Sequence, residues 1–330
     1  MVGLLFGWLQ WACAAAPRPY AWKAIARASS GHDLKDAASA YPALGQGTVR
    51  MGDDSDKRRD EVAALWLGLD LGLALIDTAE IYADGGAEHV VGEAIKGRRD
   101  EVFLNSKVLP DSATRKGAIA ACERSLKRLK TDCLDLYLLH WRESVPLEET
   151  LDAFQALKGA GKICDAASAI SDLEEARRLP GGEDIVTNQV FYNLSHRGVE
   201  WDLLPWSRMR GLPVMAYSPL DEGKLARNRK LKPIAARHGV RPAQDALAWL
   251  LGQEGIVVFP KASNQTHVRE NRAVLELKLA DEDLEDLGQA FRPPRSCGVA
   301  DPLAETEHRS LPSRQLIEGA LPGCLVGAPP

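Results

Sequence analysis

Short apolar runs alternate with amphipathic stretches along most of this chain. Two of the runs, 73–76 and 134–139, consist mainly of apolar residues, which is typical of strands buried on both faces of a parallel sheet. Between such runs, apolar residues recur every three or four positions, as at Val62, Leu65 and Leu69. This spacing predicts amphipathic helices that cover the sheet.

Eight strands are predicted in this way, each followed by a helix or a helical turn. Strict alternation of strands and helices favours a parallel sheet, and eight such units close into a (β/α)8 barrel, or TIM barrel. An open, doubly wound sheet is the alternative, but no GxGxxG fingerprint follows a strand and opens a helix. The predicted strands lie at 43–48, 73–76, 102–106, 134–139, 163–170, 185–192, 213–219 and 256–260.

We expect residues 41–292 to form this barrel as a single domain. Residues 1–40 are expected to be a poorly defined extension, because no Lys or Arg precedes Arg18 and the charged start of a signal peptide is missing. The apolar start is also too short for a confident membrane span. The tail at 293–330 is rich in Pro and Gly and is expected to be irregular. These features favour a cytoplasmic protein that does not bind membranes.

Charge and cysteine usage narrow the possible functions. A net charge of −5 and a pI near 5.9 argue against a nucleic-acid-binding protein, which should show a basic stripe. The one dense basic run, Arg227 to Lys232, is interpreted as a solvated surface turn. The six cysteines contain no CxxC pair and the histidines show no metal-ligand spacing, so we expect neither disulfides nor a metal site.

Ionisable side chains stand where three consecutive predicted strands end. Asp77, Lys107 and His140 each follow one strand, and Tyr82 lies five residues after Asp77. Because function in a barrel collects at the C-terminal ends of the strands, we expect these four residues to share one catalytic site. A lysine cation would lower the pKa of the phenol, and a carboxylate would keep the buried lysine protonated. Each residue alone has an ordinary structural explanation, but their coincidence at strand ends indicates catalysis.

Several longer motifs closely resemble the aldo-keto reductase family, in particular its short bacterial NADPH-dependent members, over residues 42–292. Their number and their common order make the resemblance far more specific than any one of them. The motifs are GQGT (45–48), LIDTAEIYADGGAEHVVGEAI (75–95), VFLNSKV (102–108), SLKRLKTDCLDLYLLHW (125–141), TNQVFYNLSHRGVEWDLLPW (187–206), PVMAYSPL (213–220), FPKAS (259–263) and HVREN (267–271).

The resemblance implies a barrel that binds NADPH and reduces aldehydes or ketones. Tyr82 would be the general acid, Lys107 paired with Asp77 would assist it, and His140 would orient the substrate carbonyl. The resemblance also implies cofactor contacts from Ser168, Gln189, Tyr217, Ser218, Leu220, Lys261, Ser263, Glu270 and Asn271, and a substrate pocket that includes Val49 and Trp141.

The chain departs from the family pattern at several positions. Val49 stands where a tryptophan usually walls the pocket. With a one-residue deletion, Ser168 matches the serine of the usual Ser-Asn pair and Ala169 its asparagine; without the deletion, neither polar group is kept. Asp165 and Asp245 put carboxylates where apolar residues are usual, which is costly unless they are paired. Two interpretations remain open. The chain is a working reductase of small aldehydes and ketones, expected to be a monomer, or a catalytically impaired NADP-binding sensor or interaction module that resembles channel β-subunits.

Overall fold

One sheet of eight parallel strands forms the centre of the computed structural model, which describes residues 43–168 and 185–294. The strands follow one another in chain order, and each pairs with the next. They are β1 (Gln46–Gly47), β2 (Leu75–Asp77), β3 (Phe103–Val108), β4 (Leu134–Leu139), β5 (Ile163–Ser168), β6 (Ile185–Phe191), β7 (Val214–Tyr217) and β8 (Ile256–Val258).

The last strand returns to the first. Leu44 and Val258 form a parallel bridge, as do Gly47 and Lys261. The Gly45 amide donates to the Val258 carbonyl over 2.7 Å, and the Val258 amide donates to the Ala43 carbonyl over 2.8 Å. Since the sheet closes on itself, the predicted (β/α)8 barrel is confirmed.

Amphipathic helices surround the barrel where the apolar periodicity placed them. The first, α1, begins at Arg58 and ends at Asp70, within the predicted stretch. In the described residues the helices are α1 (Arg58–Asp70), α2 (Gly86–Ala94), α3 (Arg115–Leu129), α4 (Leu147–Gly159), α5 (Leu203–Met209), α6 (Lys232–His238), α7 (Pro242–Leu251), α8 (Gln265–Ala273) and α9 (Asp281–Ala290). Short 3-10 helices lie at Ser55–Lys57, Tyr82–Gly85, Arg99–Glu101, Pro110–Ser112, Gly198–Glu200, Asp221–Gly223, Leu225–Arg227 and Val274–Glu276.

Two helices, α6 and α9, have no counterpart in the sequence prediction. The first is seven residues long and buries only Ile234 and Ala235, which is too little for a periodic signal. The second buries only Asp283 and Leu287, so a charged residue interrupts its apolar stripe. The predictions for 1–40, for the helix expected after the strand at 163–170 and for most of the C-terminal tail concern residues outside the described ranges.

The inside of the barrel holds both apolar and polar side chains. One apolar cluster is drawn from seven strands and their ends. On β3, for example, Phe103 belongs to this cluster, whereas Asn105 and Lys107 follow on the same face at a period of two. Along β3, the side chains on this face thus change from apolar to polar towards the C-terminal end of the strand. The cluster comprises Leu75, Phe103, Leu136, Leu138, Ala167, Val186, Met215, Val257 and Phe259.

The described cysteines are small side chains of the packed layers. Cys122 and Cys133 are buried and Cys164 is half-buried, and the Sγ atoms of Cys133 and Cys164 lie 3.5 Å apart. Within the described ranges, no three His, Cys, Asp or Glu side chains are grouped so that they could hold a metal ion. No helix in the part of the chain that the structure describes is long and apolar enough to cross a membrane.

Candidate active site

Lys107, near the end of β3, contacts residues at the end of β2 and in the segment that follows it. Its Nζ lies 2.9 Å from Asp77 Oδ2, 2.9 Å from the Thr78 carbonyl oxygen and 3.2 Å from the Tyr82 hydroxyl. The Lys107 side chain is fully buried and that of Asp77 is 3% exposed. Because a buried ammonium is costly without a counter-charge, the Asp77 carboxylate offsets the cost of burying Lys107 beside the phenol.

The backbone after β2 carries Tyr82 to this lysine. The segment continues alongside β3, where the Thr78 amide donates to the Asn105 carbonyl over 3.1 Å and the Glu80 amide to that of Lys107 over 3.4 Å. Directly after Tyr82, Ala83 and Asp84 adopt left-handed backbone angles, with φ of 52° and 50°. This tight turn ends the segment and starts α2.

Asp77 is held by two amides as well as by the lysine. Its Oδ1 accepts from Asn105 Nδ2 over 2.8 Å and from Gln189 Nε2 over 2.9 Å. Sequence reasoning assigned Gln189 to the cofactor and did not identify Asn105. One signal was present, since Asn105 is a polar residue in an apolar strand, two positions before Lys107 and therefore on the same face.

His140, directly after β4, lies beside the phenol of Tyr82. Its ring centroid is 5.7 Å from that of Tyr82 in an edge-on arrangement and 4.8 Å from that of Trp141. Loss of water around the ring, and then the nearby Lys107 cation, hold the pKa of His140 well below its usual value of 6.5. The imidazole is therefore neutral at neutral pH and carries one N–H, which can donate to a carbonyl oxygen.

The end of β7 and the loop after it hold three of the residues assigned to the cofactor. The ring of Tyr217 stacks on that of Phe191, with centroids 5.4 Å apart and an angle of 28° between the planes. Ser218 has a left-handed φ of 48°, and its carbonyl accepts from Asn193 Nδ2 over 3.0 Å. Leu220 packs against an apolar cluster. Asp221 and Glu222 in the same loop are also left-handed, with φ of 47° and 51°, and turns with such residues can present backbone N–H groups to an anion.

The segment after β8 holds the remaining cofactor candidates. Lys261 Nζ and Ser263 Oγ lie 3.2 Å apart, so both can contact one phosphate group. Glu270 is paired with Arg241, whose Nη1 lies 2.9 and 3.0 Å from its two oxygens. Asn271 is buried. Sequence reasoning did not identify Arg241, because its contact with Glu270 joins two separate helices.

Three further candidates stand apart from these contacts. Ser168 ends β5 and pairs with Asn188 of β6 where the register of the two strands shifts; its partner in the expected Ser-Asn pair, residue 169, lies outside the described ranges. Val49 is 44% exposed in the turn after β1. Trp141 donates from its indole nitrogen to Glu143 over 3.1 Å.

Comparison with known proteins decides the family. The model of the Aldo/keto reductase family matches residues 43–291. The chain belongs to the aldo/keto reductase family. The resemblance that the motifs indicated is thus confirmed, and with it the assignment of the chain as an oxidoreductase.

This chain is similar to other members of the aldo/keto reductase family over most of their length. Methylglyoxal reductase YeaE of Escherichia coli (strain K12) is 50% identical over 270 residues, which cover 79% of this chain and 95% of that protein. Glyoxal reductase of Bacillus subtilis (strain 168) is 31% identical over 264 residues, or 77% of this chain and 92% of the relative. The crystal structure of an aldo-keto reductase from Klebsiella pneumoniae in complex with NADPH has a TM-score of 0.77 and 45% identity, and covers 79% of this chain and 95% of that one.

Proposed function

We propose that this aldo/keto reductase uses NADPH to reduce small aldehydes and ketones to alcohols, with α-dicarbonyl compounds such as methylglyoxal and glyoxal as the first candidates. The observation that carries the proposal is the position of Lys107 Nζ, 2.9 Å from Asp77 Oδ2 and 3.2 Å from the Tyr82 hydroxyl. The relatives named for methylglyoxal and glyoxal support the choice of substrates.

In this proposal Tyr82 donates its hydroxyl proton to the substrate carbonyl oxygen. An ammonium about 3 Å away stabilises the resulting phenolate by up to about 5 kcal/mol at an effective dielectric constant of ~20, before desolvation is subtracted. Asp77 keeps that ammonium protonated, and the neutral His140 donates its N–H to the same carbonyl oxygen and orients it. When bound, NADPH supplies the hydride that reduces the carbonyl carbon.

The residues around the site fit this cofactor. Lys261 and Ser263 offer an ammonium and a hydroxyl 3.2 Å apart, which suits the phosphate that distinguishes NADPH from NADH. Tyr217, supported by Phe191, offers an aromatic ring for the nicotinamide, and Ser218 and Leu220 lie in the loop proposed to hold the pyrophosphate. Glu270 and Asn271 are proposed to meet the adenine, and Gln189 and Ser168 the carboxamide.

Tyr82→Phe tests the proposal. NADPH binding is followed by quenching of its fluorescence, and turnover by NADPH oxidation with methylglyoxal and glyoxal. We expect kcat to fall about 10²–10⁴-fold because the proton donor is lost, with the NADPH dissociation constant unchanged. The matched control is Tyr137→Phe, which removes a buried phenol oxygen that has no partner among the described residues. Equal kcat in both variants would reject Tyr82 as the acid, and NADPH binding without turnover in the wild type would favour the sensor interpretation.

A further inference from the structure

Asn105 lies inside the barrel against the carboxylate of Asp77. Its side chain is fully buried, and its Nδ2 is 2.8 Å from Asp77 Oδ1. The orientation of the amide is fixed by chemistry, because an ionised carboxylate only accepts hydrogen bonds and must face the NH₂ group. Asp77 Oδ1 therefore accepts hydrogen bonds from Asn105 Nδ2 and Gln189 Nε2, while Oδ2 accepts one from Lys107 Nζ.

This asparagine stands in the core at a cost. Its Oδ1 is buried and has no hydrogen-bond partner among the described residues. An unmet buried acceptor costs about 1–3 kcal/mol, which an apolar side chain would avoid at this point of an otherwise apolar strand. Packing therefore does not explain Asn105, and the bond to Asp77 is the one favourable polar contact of its side chain in the described part of the barrel.

We infer that Asn105 is a positioning residue, which fixes the Asp77 carboxylate and draws part of its negative charge toward Oδ1, away from Lys107. The inference rests on the proposed role of Tyr82. With Oδ1 held by two amides, Oδ2 faces the lysine in one orientation only. The Asp77 carboxylate then cancels less of the electrostatic field of the Lys107 ammonium at the Tyr82 hydroxyl, which lies 3.2 Å from Nζ.

The inference predicts the direction in which Tyr82 ionisation changes. The titratable groups that face the phenol are Lys107 from β3, Asp77 from the end of β2 and His140 from the end of β4, the last of them neutral. Without the Asn105 donor, the carboxylate cancels more of the lysine charge and is free to rotate. The phenolate loses stabilisation, and Tyr82 gives up its proton at higher pH.

The test is a pH titration of tyrosinate absorbance in the full chain, with Tyr82→Phe subtracted to isolate Tyr82. Asn105→Leu replaces the amide with an apolar side chain of the same branching pattern, and we expect the Tyr82 midpoint to rise by about one pH unit, a tenfold change in its ionisation constant. Asn105→Asp puts a second carboxylate beside Asp77, and we expect a larger rise. In turnover, kcat should fall about tenfold in Asn105→Leu, with the NADPH dissociation constant unchanged.

Ser106→Ala is the matched control on the same strand. Its hydroxyl points to the other face of β3, where it donates to Glu88 over 2.6 Å, so its loss removes one buried hydrogen bond outside the site. We expect this variant to lose stability while the Tyr82 midpoint and kcat stay at wild-type values.

The outcomes separate this inference from the proposed function. A higher Tyr82 midpoint in Asn105→Leu and Asn105→Asp, in a protein that turns over no carbonyl, would support the positioning role and reject the reductase. An unchanged midpoint in a folded Asn105 variant would overturn the positioning role even if the wild type is an active reductase. Should Asn105→Leu fail to fold, Asn105→Ala removes the same amide without added bulk, and its Tyr82 midpoint decides the positioning role in the same way.

Discussion

Two aspartates lie equally deep in this protein and have opposite surroundings. Asp77 at the end of β2 is 2% exposed and Asp245 on α7 is fully buried. Asp77 receives an ammonium and two amide donors, whereas neither oxygen of Asp245 has a hydrogen-bond partner among the described residues. The first is a supported charge at the candidate active site, and the second is a buried charge that the fold leaves unsupported.

Donors are present near Asp245 but they serve a neighbour. Arg237 and His238 of α6 both bond to Asp283 of α9, over 2.7 and 2.8 Å. Although burial opposes it, the Ala280 amide together with His238 and Arg237 holds the pKa of Asp283 below its usual value. For Asp245, burial prevails and raises the pKa to about 6. Burial alone thus does not decide what a carboxylate costs; the geometry of its donors does.

Of the substitutions considered, Asp77→Asn is expected to have the largest effect on stability and turnover. The substitution keeps the shape but removes the counter-charge of a fully buried Lys107, so we expect the free energy of unfolding to fall by about 3–5 kcal/mol. We also expect kcat to fall at least about 100-fold because the lysine no longer holds its charge beside Tyr82. Urea denaturation and NADPH oxidation measure the two effects. Wild-type stability in this variant would mean that Lys107 does not depend on Asp77.

Asp245→Asn is expected to change stability in the opposite direction to Asp77→Asn. Removing an unsupported buried charge is expected to raise the free energy of unfolding at pH 7 by about 1–3 kcal/mol, with kcat unchanged. Asp286→Asn is the matched control, because Asp286 also lies near Arg237 but its side chain is 44% exposed. The control should change stability by less than about 0.5 kcal/mol.

The advantage of Asp245→Asn should depend on pH. Since the folded pKa of Asp245, about 6, lies above the ordinary aspartate value of 3.8, the folded state binds this proton more tightly than the unfolded state. The wild type therefore loses stability from this group as pH rises from about 4 to about 6. The two proteins should be equally stable below that window and differ most above it. A constant difference from acid to neutral pH would show that the charge of Asp245 is not the cause.

Lys261→Ala should have the smallest effect and extends the comparison to cations. Lys261 is exposed, so its removal leaves no buried partner uncompensated, and we expect stability to change by less than about 0.5 kcal/mol. NADPH binding should weaken roughly tenfold through the lost contact with the phosphate, while NADH binding stays the same. Lys96→Ala at another exposed position is the control. Equal weakening for both cofactors would place Lys261 away from that phosphate.

The order and type of most elements followed from the sequence alone. The apolar runs ending at Asp77, Lys107 and His140 are strands, and the Leu65–Leu69 spacing marks a real helix. The long motifs identified the family before any contact was known. These features are local, since a period of two or of nearly four positions reports directly which face of a segment is buried.

Only the tertiary structure decided which polar groups meet. Gln189 reaches Asp77 across 112 positions of the chain and Asn105 across 28, and no local pattern specifies either bond. The sequence indicated that both Asp165 and Asp245 bury a carboxylate at a cost in stability. In the structure, Asp165 is paired with Lys158 at 3.4 Å, whereas neither oxygen of Asp245 has a hydrogen-bond partner among the described residues. The physical reason is one of scale. Periodicity encodes burial over several residues, but a hydrogen bond depends on a few tenths of an ångström between segments that the closed barrel brings together.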